Sequence, residues 1–270
     1  MLYLPRLTRR DLSILSRLSH HEPLSTSEIA LLFFDGQRAC RRRLLKLQKD
    51  ILLIRIYPAR EQHGGRTEGL WFLSPHGRRV IGAPARRPPA LSIPDLEHRR
   101  AVAQFFLALV ERSLAQPDHG LYSWLGEQHA QHGTSTAVRP DGFGRYLLPD
   151  GEITFYLELD RGTEPTRRIK DKLAAYHQAL AADPQRSQGN ILLICQSQRR
   201  LANLARTAPT GPPWVWGSID GERYVLLPDR DQQRNFQQLP AWRRDLSRRL
   251  EDCLGRRWKQ PTKAEKEPGR

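Results

Sequence analysis

Three acidic residues in the middle of the chain, Asp141, Glu158 and Asp160, have a spacing that suits chemistry on charged groups. Asp141 directly follows a proline, 16 residues separate it from Glu158, and one residue separates Glu158 from Asp160. The stretch 153–160 alternates apolar and polar side chains. This pattern predicts a β-strand with Glu158 and Asp160 on one face and a row of core residues on the other.

A hairpin is expected to bring the third acid to the same place. Residues 143–148 predict a second strand, which the turn sequence Pro-Asp-Gly-Glu joins to the first. With the turn centred on its Asp-Gly pair, Asp141 lies opposite Asp160 and Phe143 lies opposite Glu158. Because cross-strand neighbours point to the same face, this register gathers all three carboxylates in one small patch.

Like charges this close raise the energy of the patch unless a cation lies between them. A divalent ion is one solution, because Mg²⁺ or Mn²⁺ prefers carboxylate oxygens, and all three acids would then be metal ligands. A basic side chain is the other, and Arg161, Lys170 and Lys172 follow closely. Lys172 and Tyr176 are one turn apart on the next predicted helix, so both are placed to lie over the acids. The residues themselves leave both solutions open.

The first 83 residues predict a winged helix-turn-helix. Helical periodicity occurs at 7–18, the capping sequence Ser-Thr-Ser-Glu begins a second helix at Ser25, and helical spacing returns at 37–50. Two β-rich runs, 51–57 and 69–73, then flank a Gly-rich turn and predict a hairpin. Short helices followed by a hairpin wing are typical of DNA-binding domains whose third helix enters the major groove.

One face of the third predicted helix is strongly basic. No acid interrupts its cations between Gly36 and Lys49, whereas a helix face that is merely solvated usually carries both signs of charge. Arginine suits phosphate because its guanidinium is a rigid fork, and two more arginines fall near the predicted hairpin tip. The candidate DNA-binding residues are Arg38, Arg41, Arg42, Arg43, Lys46, Lys49, Arg60 and Arg66.

The net charge of +15 is concentrated at the two ends of the chain. Residues 1–83 hold 15 basic and 7 acidic side chains, residues 84–197 hold 13 of each, and residues 198–270 hold 16 and 9. Basic ends favour a nucleic-acid partner. No apolar run approaches the ~20 residues of a membrane span, and the three cysteines lack zinc-finger or CxxC spacing. We therefore expect a cytoplasmic protein without a membrane segment.

The order of elements predicts a mixed α/β (α+β) protein: an N-terminal winged helix-turn-helix followed by a restriction-endonuclease-like α/β domain. The winged helix is expected at 1–83 and a linker rich in Pro and Ala at 84–94. The second domain is expected at 95–230, and a basic helix with a disordered tail at 231–270.

The second domain resembles the restriction-endonuclease-like fold in having Pro-Asp, a gap, and then an acid-x-acid sequence on the next strand. The superfamily signature ends in lysine, and here Asp160 stands at that position. In that superfamily the lysine can move to the following helix, where Lys172 or Lys170 is the candidate. The resemblance implies a catalytic set of Asp141, Glu158, Asp160 and Lys172, in which the acids hold Mg²⁺ and the lysine offsets charge near the nucleophile.

The segments Arg-Pro-Asp-Gly at 139–142 and Glu-Leu-Asp-Arg-Gly-Thr-Glu at 158–164, with the preceding winged helix, resemble the replication-relaxation proteins of bacterial plasmids and integrative elements. More remotely, the chain is similar to MobC-type mobilisation relaxases. The resemblance implies a protein that binds double-stranded plasmid DNA, works with other replication or mobilisation proteins, and nicks or relaxes DNA with Mg²⁺. The alternative is a non-catalytic DNA-binding accessory or regulator whose nuclease-like domain has degenerated.

Overall fold

The computed structural model describes residues 6–57, 68–84, 92–116, 118–127, 138–149, 151–181, 189–206, 208, 214–219 and 225–227. In this part of the chain the fold is mixed α/β, with seven helices and two β-sheets, which confirms the predicted class. Contacts divide the chain into two compact units, Met1–Ala103 and Gln104–Arg270. The predicted linker precedes this division, and its residues 85–91 lie outside the described part, as do the predicted C-terminal helix and tail at 231–270.

The first unit combines short helices with a small antiparallel sheet. Its elements are α1 (Arg9–His21), β1 (Leu24–Ser25), α2 (Thr26–Phe33), α3 (Gln37–Lys49), β2 (Leu53–Ile56), β3 (Leu70–Leu73) and α4 (Pro75–Val80). The strand order is β1-β3-β2. The sequence patterns predict α1, α2, α3 and the hairpin of β2 and β3, but not β1, which pairs with β3 through only two residues. A strand this short leaves no periodicity to detect.

Two capping boxes begin the first helices of this unit. Thr8 precedes α1 and exchanges hydrogen bonds with Asp11, while Ser25 precedes α2 and exchanges them with Glu28. Each box satisfies backbone N–H groups that have no partner inside the helix. The helix start predicted from the capping sequence at Ser25 is therefore confirmed.

The second unit is built on a six-stranded sheet. Its strands are β4 (Gly120–Gly126), β5 (Gly142–Leu148), β6 (Gly151–Asp160), β7 (Asn190–Cys195), β8 (Trp214–Ile219) and β9 (Val225–Leu227), and they are neighbours in that order. Its helices are α5 (Ile93–Ala115), whose first residues belong to the first unit, α6 (Thr166–Ala181) and α7 (Gln198–Ala205). β5 and β6 form an antiparallel hairpin, whereas β6, β7 and β8 run parallel.

Both faces of β6 are covered. On one face, Phe155 packs against Phe105 and Phe106 of α5 with ring centroids 6.1 and 6.0 Å apart. On the other face, Tyr156 packs against Tyr176 of α6 at 6.0 Å. The alternation in the sequence assigns residues to the two faces correctly, but the polar face is also buried because α6 lies over it.

The predicted register of the β5–β6 hairpin is wrong by two residues. Phe143 lies opposite Tyr156, not Glu158, and the ladder closes with Leu148 opposite Gly151. The reason is local packing: the ring of Phe155 covers Gly144, where a Cβ atom would lie 2.3 Å from the ring. A shift of two residues keeps every side chain on its predicted face. The error therefore changes only which residues are cross-strand partners.

Within the described residues, no helix has both the length and the apolar character needed to cross a membrane.

Candidate functional site

The three acids of the sequence, which we call the acid cluster (Asp141, Glu158 and Asp160), occupy the end of β6 and the residue before β5. Glu158 lies under α6 and is 4% exposed. Lys172 and Tyr176, one turn apart on α6, both donate hydrogen bonds to its carboxylate. The prediction that these two side chains lie over the acids is therefore confirmed for Glu158.

The electrostatics of Glu158 follow from its burial. The pKa of Glu158 is raised to about 8, chiefly by desolvation and also by the nearby charge of Asp141, while Lys172 and Tyr176 act in the opposite direction. The pKa of the Tyr176 hydroxyl lies well above its ordinary value, chiefly because the ring is buried. Tyr176 is fully buried, so it is a hydrogen-bond donor to Glu158 and not an accessible nucleophile.

Asp160 has a different partner. Arg200, in the first turn of α7, donates two hydrogen bonds to its carboxylate, and the backbone N–H of Gly162 donates another at 2.9 Å. Asp160 is 4% exposed. The Nη2 group of Arg200 also donates a hydrogen bond to the carbonyl oxygen of Glu164. Because this fork engages both carboxylate oxygens, Asp160 fixes the loop between β6 and α6 against α7.

Asp141 lies beside Glu158 and not opposite Asp160 as predicted. Its backbone N–H donates to the carbonyl oxygen of Leu157 at 3.0 Å, and its Oδ2 accepts from the N–H of Leu159 at 2.8 Å. These two bonds hold Asp141 across the backbone on either side of Glu158. The structure therefore brings Asp141, Glu158 and Lys172 together, and places Asp160 with Arg200.

The acids could be neutralised by a divalent ion or by basic side chains, and the side-chain contacts show basic side chains. Lys172 pairs with Glu158, and Arg200 pairs with Asp160. Among the residues that the structure describes, no group of three or more His, Cys, Asp or Glu side chains is arranged to hold a metal ion. Three-acid coordination does not fit this geometry, because the fork of Arg200 occupies both oxygens of Asp160. A site that uses Asp141 and Glu158 alone remains compatible with Mg²⁺, which often takes one or two carboxylates.

The other candidate site is one side of α3. Cys40, Leu44 and Leu47 face inward and are fully buried, so the opposite side of the helix is exposed. We call this side the basic face; it carries the exposed cations Arg38, Arg41, Arg42, Lys46 and Lys49. None of these five forms an ion pair with another residue in the described ranges.

Arg43 is the exception among the predicted DNA-binding residues of α3. Its guanidinium binds the carboxylate of Asp11 through two N–H groups, and the Asp11 side chain is fully buried. Arg43 therefore ties α3 to the start of α1. Arg60 and Arg66, predicted near the hairpin tip, lie outside the described residues.

Sequence reasoning missed Arg200. The signal is present in the sequence, because residues 190–195 form an apolar run typical of a buried strand and a basic stretch follows at 198–206. The carboxyl ends of adjacent parallel strands meet at one edge of a sheet, so the first turn after β7 falls next to Asp160, which ends β6. Without knowledge that β6 and β7 are parallel neighbours, nothing in the sequence chooses Arg200 over the arginines beside it.

Comparison with known proteins gives one match. Residues 15–194 match the replication-relaxation family over two thirds of the chain. The comparisons with curated proteins and with solved structures found no match. The matched range includes α2, α3 and the entire acid cluster with Lys172 and Tyr176. The chain therefore belongs to the replication-relaxation family.

Proposed function

We propose that this chain is a plasmid replication-relaxation or mobilisation protein that binds double-stranded DNA through a winged helix in its N-terminal unit. The order of elements in that unit, three helices followed by a hairpin whose second strand also pairs with β1, supports this proposal. Membership of the family supports a role in replication or relaxation. Such a protein would act in the cytoplasm beside other replication or mobilisation proteins.

The observation that carries the proposal is the basic face of α3. Its five exposed cations have no partner among the described residues, so nothing offsets their mutual repulsion within this part of the chain. The phosphates of a duplex would offset it, with release of bound counterions. Arg43, the one cation of this helix that the fold itself uses, has a buried carboxylate as partner. The five cations of the basic face are exposed and have no partner among the described residues, as a phosphate-binding surface requires.

The test is the salt dependence of binding to duplex DNA. Reversing two charges, Arg41→Glu with Arg42→Glu, should weaken binding at least a hundredfold. It should also reduce the magnitude of the negative slope of log K against log salt by about two or more, since each phosphate contact contributes about 0.9. The matched control reverses two exposed arginines on other helices, Arg9→Glu with Arg79→Glu. Equal losses in the two double variants would contradict a specific role for α3.

Magnesium-dependent nicking of DNA is a second candidate function, and one observation favours it. Asp141 and Glu158 are adjacent acids, and Lys172 contacts Glu158, which matches the acid, acid and displaced lysine of the endonuclease-like pattern. Asp141 and Glu158 would hold the ion, which when bound would activate a water and stabilise charge on the phosphate. Lys172 would orient Glu158, while Asp160 and Arg200 would support the loop before α6.

A third reading is that the second unit is a non-catalytic platform. It is favoured by the ion pairs of Glu158 and Asp160, which are almost fully buried and leave neither carboxylate with a simple route to solvent. In this reading Lys172 and Arg200 are permanent partners of the acids. The chain would then bind DNA as an accessory or regulator.

A supercoiled-plasmid assay with Mg²⁺ or Mn²⁺ separates these two readings. Nicked circles that disappear in Asp141→Asn and Glu158→Gln, and persist in the control Asp171→Asn on the exposed side of α6, support the nickase. DNA binding by the wild-type chain without nicked product, at every metal tested, supports the accessory protein.

A further inference from the structure

One arginine of the first unit is held in place by aromatic rings and has no hydrogen-bonded partner in the described ranges. Arg55 lies on β2 directly opposite Trp71 of β3, and Tyr57 follows two residues later, just after the end of β2. Its guanidinium carbon is 4.7 Å from the ring centre of Tyr57 and 5.0 Å from that of Trp71. Its Nε atom is buried and makes no hydrogen bond.

The backbone immediately before β3 leaves room for this guanidinium. Gly69 lies next to Arg55, and a Cβ atom at Gly69 would be 2.3 Å from its Nε and 3.0 Å from its Cζ. Any side chain at position 69 would therefore displace Arg55. The two rings and the gap at Gly69 define one position for the charged group.

An arginine that only covers a tryptophan does not need such a fixed position. Trp71 is fully buried and already donates its ring N–H to Thr26 at 2.9 Å. Tyr57, by contrast, is 60% exposed, so its ring supports the guanidinium from the solvent side. Because the rings already fix the guanidinium, binding of a ligand would cost Arg55 little further side-chain freedom. Its N–H donors are also not used by the described residues. Such a cation is suited to an anionic ligand.

We propose that Arg55 is a preorganised phosphate-binding residue at the base of the hairpin and contacts the backbone of the same duplex that the basic face of α3 binds. The inference rests on the proposed DNA-binding function and extends it from the helix to the strand β2. Only residues 50–52 separate α3 from β2, so a duplex on α3 would lie close to β2. Tyr57 and Gly69 act through Arg55 and are positioning residues.

The experiment measures duplex affinity and its salt dependence in four variants. Arg55→Gln should weaken binding about tenfold and reduce the magnitude of the negative salt slope by about one, since one charge-assisted contact is lost. Gly69→Ala keeps the charge but displaces the guanidinium, so it should weaken binding by a similar factor. Tyr57→Leu should give a smaller loss, whereas Tyr57→Phe keeps the ring and should bind as the wild type does.

The controls separate this inference from a structural role and from the proposed function. Arg79→Gln removes one exposed arginine from α4 and gives the effect of net charge alone. If Arg55→Gln and Gly69→Ala lower the melting temperature but bind the duplex like Arg79→Gln, Arg55 is structural and the inference is overturned. Tyr57 is largely exposed, so its two variants remain informative if Gly69→Ala does not fold.

The two possible failures give different results. A wild-type chain that binds no duplex at any salt concentration overturns both the proposed function and this inference. A wild-type chain that binds, and that loses affinity in the Arg41→Glu, Arg42→Glu double variant but not in Arg55→Gln, overturns this inference alone.

Discussion

The basic face of α3 and the acid cluster at the end of β6 are both concentrations of like charge, but the fold treats them in opposite ways. The five cations of the basic face are exposed and have no ion-pair partner among the described residues. In the acid cluster, Glu158 and Asp160 are each 4% exposed, and each is paired with a cation from a helix above the sheet. Exposed charge without a partner in the fold is available to a ligand such as the proposed duplex, whereas removal of one member of a buried ion pair destabilises the fold.

The comparison predicts that variants of the acid cluster cost stability and that variants of the basic face cost DNA binding. The largest effect on stability is expected for Asp160→Asn. It leaves Arg200, whose side chain is only 16% exposed, without its anionic partner. Removing one member of a buried ion pair costs about 3–5 kcal/mol. Urea unfolding measures this loss, with Asp171→Asn as the exposed control, and a loss below about 1 kcal/mol would show that the pair is not needed for the fold.

The acid cluster also predicts a pH dependence that the basic face lacks. Burial raises the pKa of Glu158 to about 8, from an ordinary value of 4.5. Between these values the folded chain retains a proton that the unfolded chain has released, so the free energy of unfolding should fall as the pH rises from about 5 to 8. Glu158→Gln should flatten this slope. Urea unfolding at several pH values checks it, and an unchanged slope in the variant would assign the pH dependence to other groups.

Two neighbouring arginines of α3 test the comparison within one helix. Arg43→Gln should lower the free energy of unfolding by about 2 kcal/mol, because the buried carboxylate of Asp11 loses its charged partner. Arg42→Gln, one residue away and exposed, should change it by less than about 0.5 kcal/mol and weaken DNA binding instead. The free energy of unfolding and the duplex affinity are measured for both variants. Equal changes in both quantities would contradict the distinction between exposed and paired charge.

The smallest expected effect is at the end of α3. Ile51 has a φ angle of 59°, a left-handed conformation that is unfavourable for a β-branched residue, and its side chain is 69% exposed. Ile51→Gly relieves this strain with little loss of packing, so it should raise stability by about 0.5–1 kcal/mol. Duplex affinity should not change, because the basic face is untouched. A decrease in the melting temperature would show that the Ile51 side chain has a packing role.

Much of the fold followed from local patterns. The start of α2 is predicted by its capping residues, and β6 by the alternation of apolar and polar side chains. These signals involve residues three or two apart, so they are legible in the sequence. The hairpin register was not legible in the same way, since it depends on a ring from β6 filling the space over Gly144 of β5.

The candidate sites divide along the same line. The composition of α3 and the spacing of Asp141, Glu158 and Asp160 are properties of the sequence, and so is the placement of Lys172 and Tyr176 one turn apart on a single helix. Whether Asp160 is paired depended on Arg200, which comes 40 residues later in the chain. Arg200 contacts Asp160 only because β6 and β7 are parallel neighbours. The different role of Arg43 depended on the position of Asp11, 32 residues earlier.

The sequence by itself therefore determined most of the helices and strands and which of their faces carry charge, because these properties depend on periodicity within short segments. Only the tertiary structure decided which charges are neutralised inside the protein and which are left for a partner. That choice depends on contacts between segments far apart in the chain, and no local pattern specifies their distance.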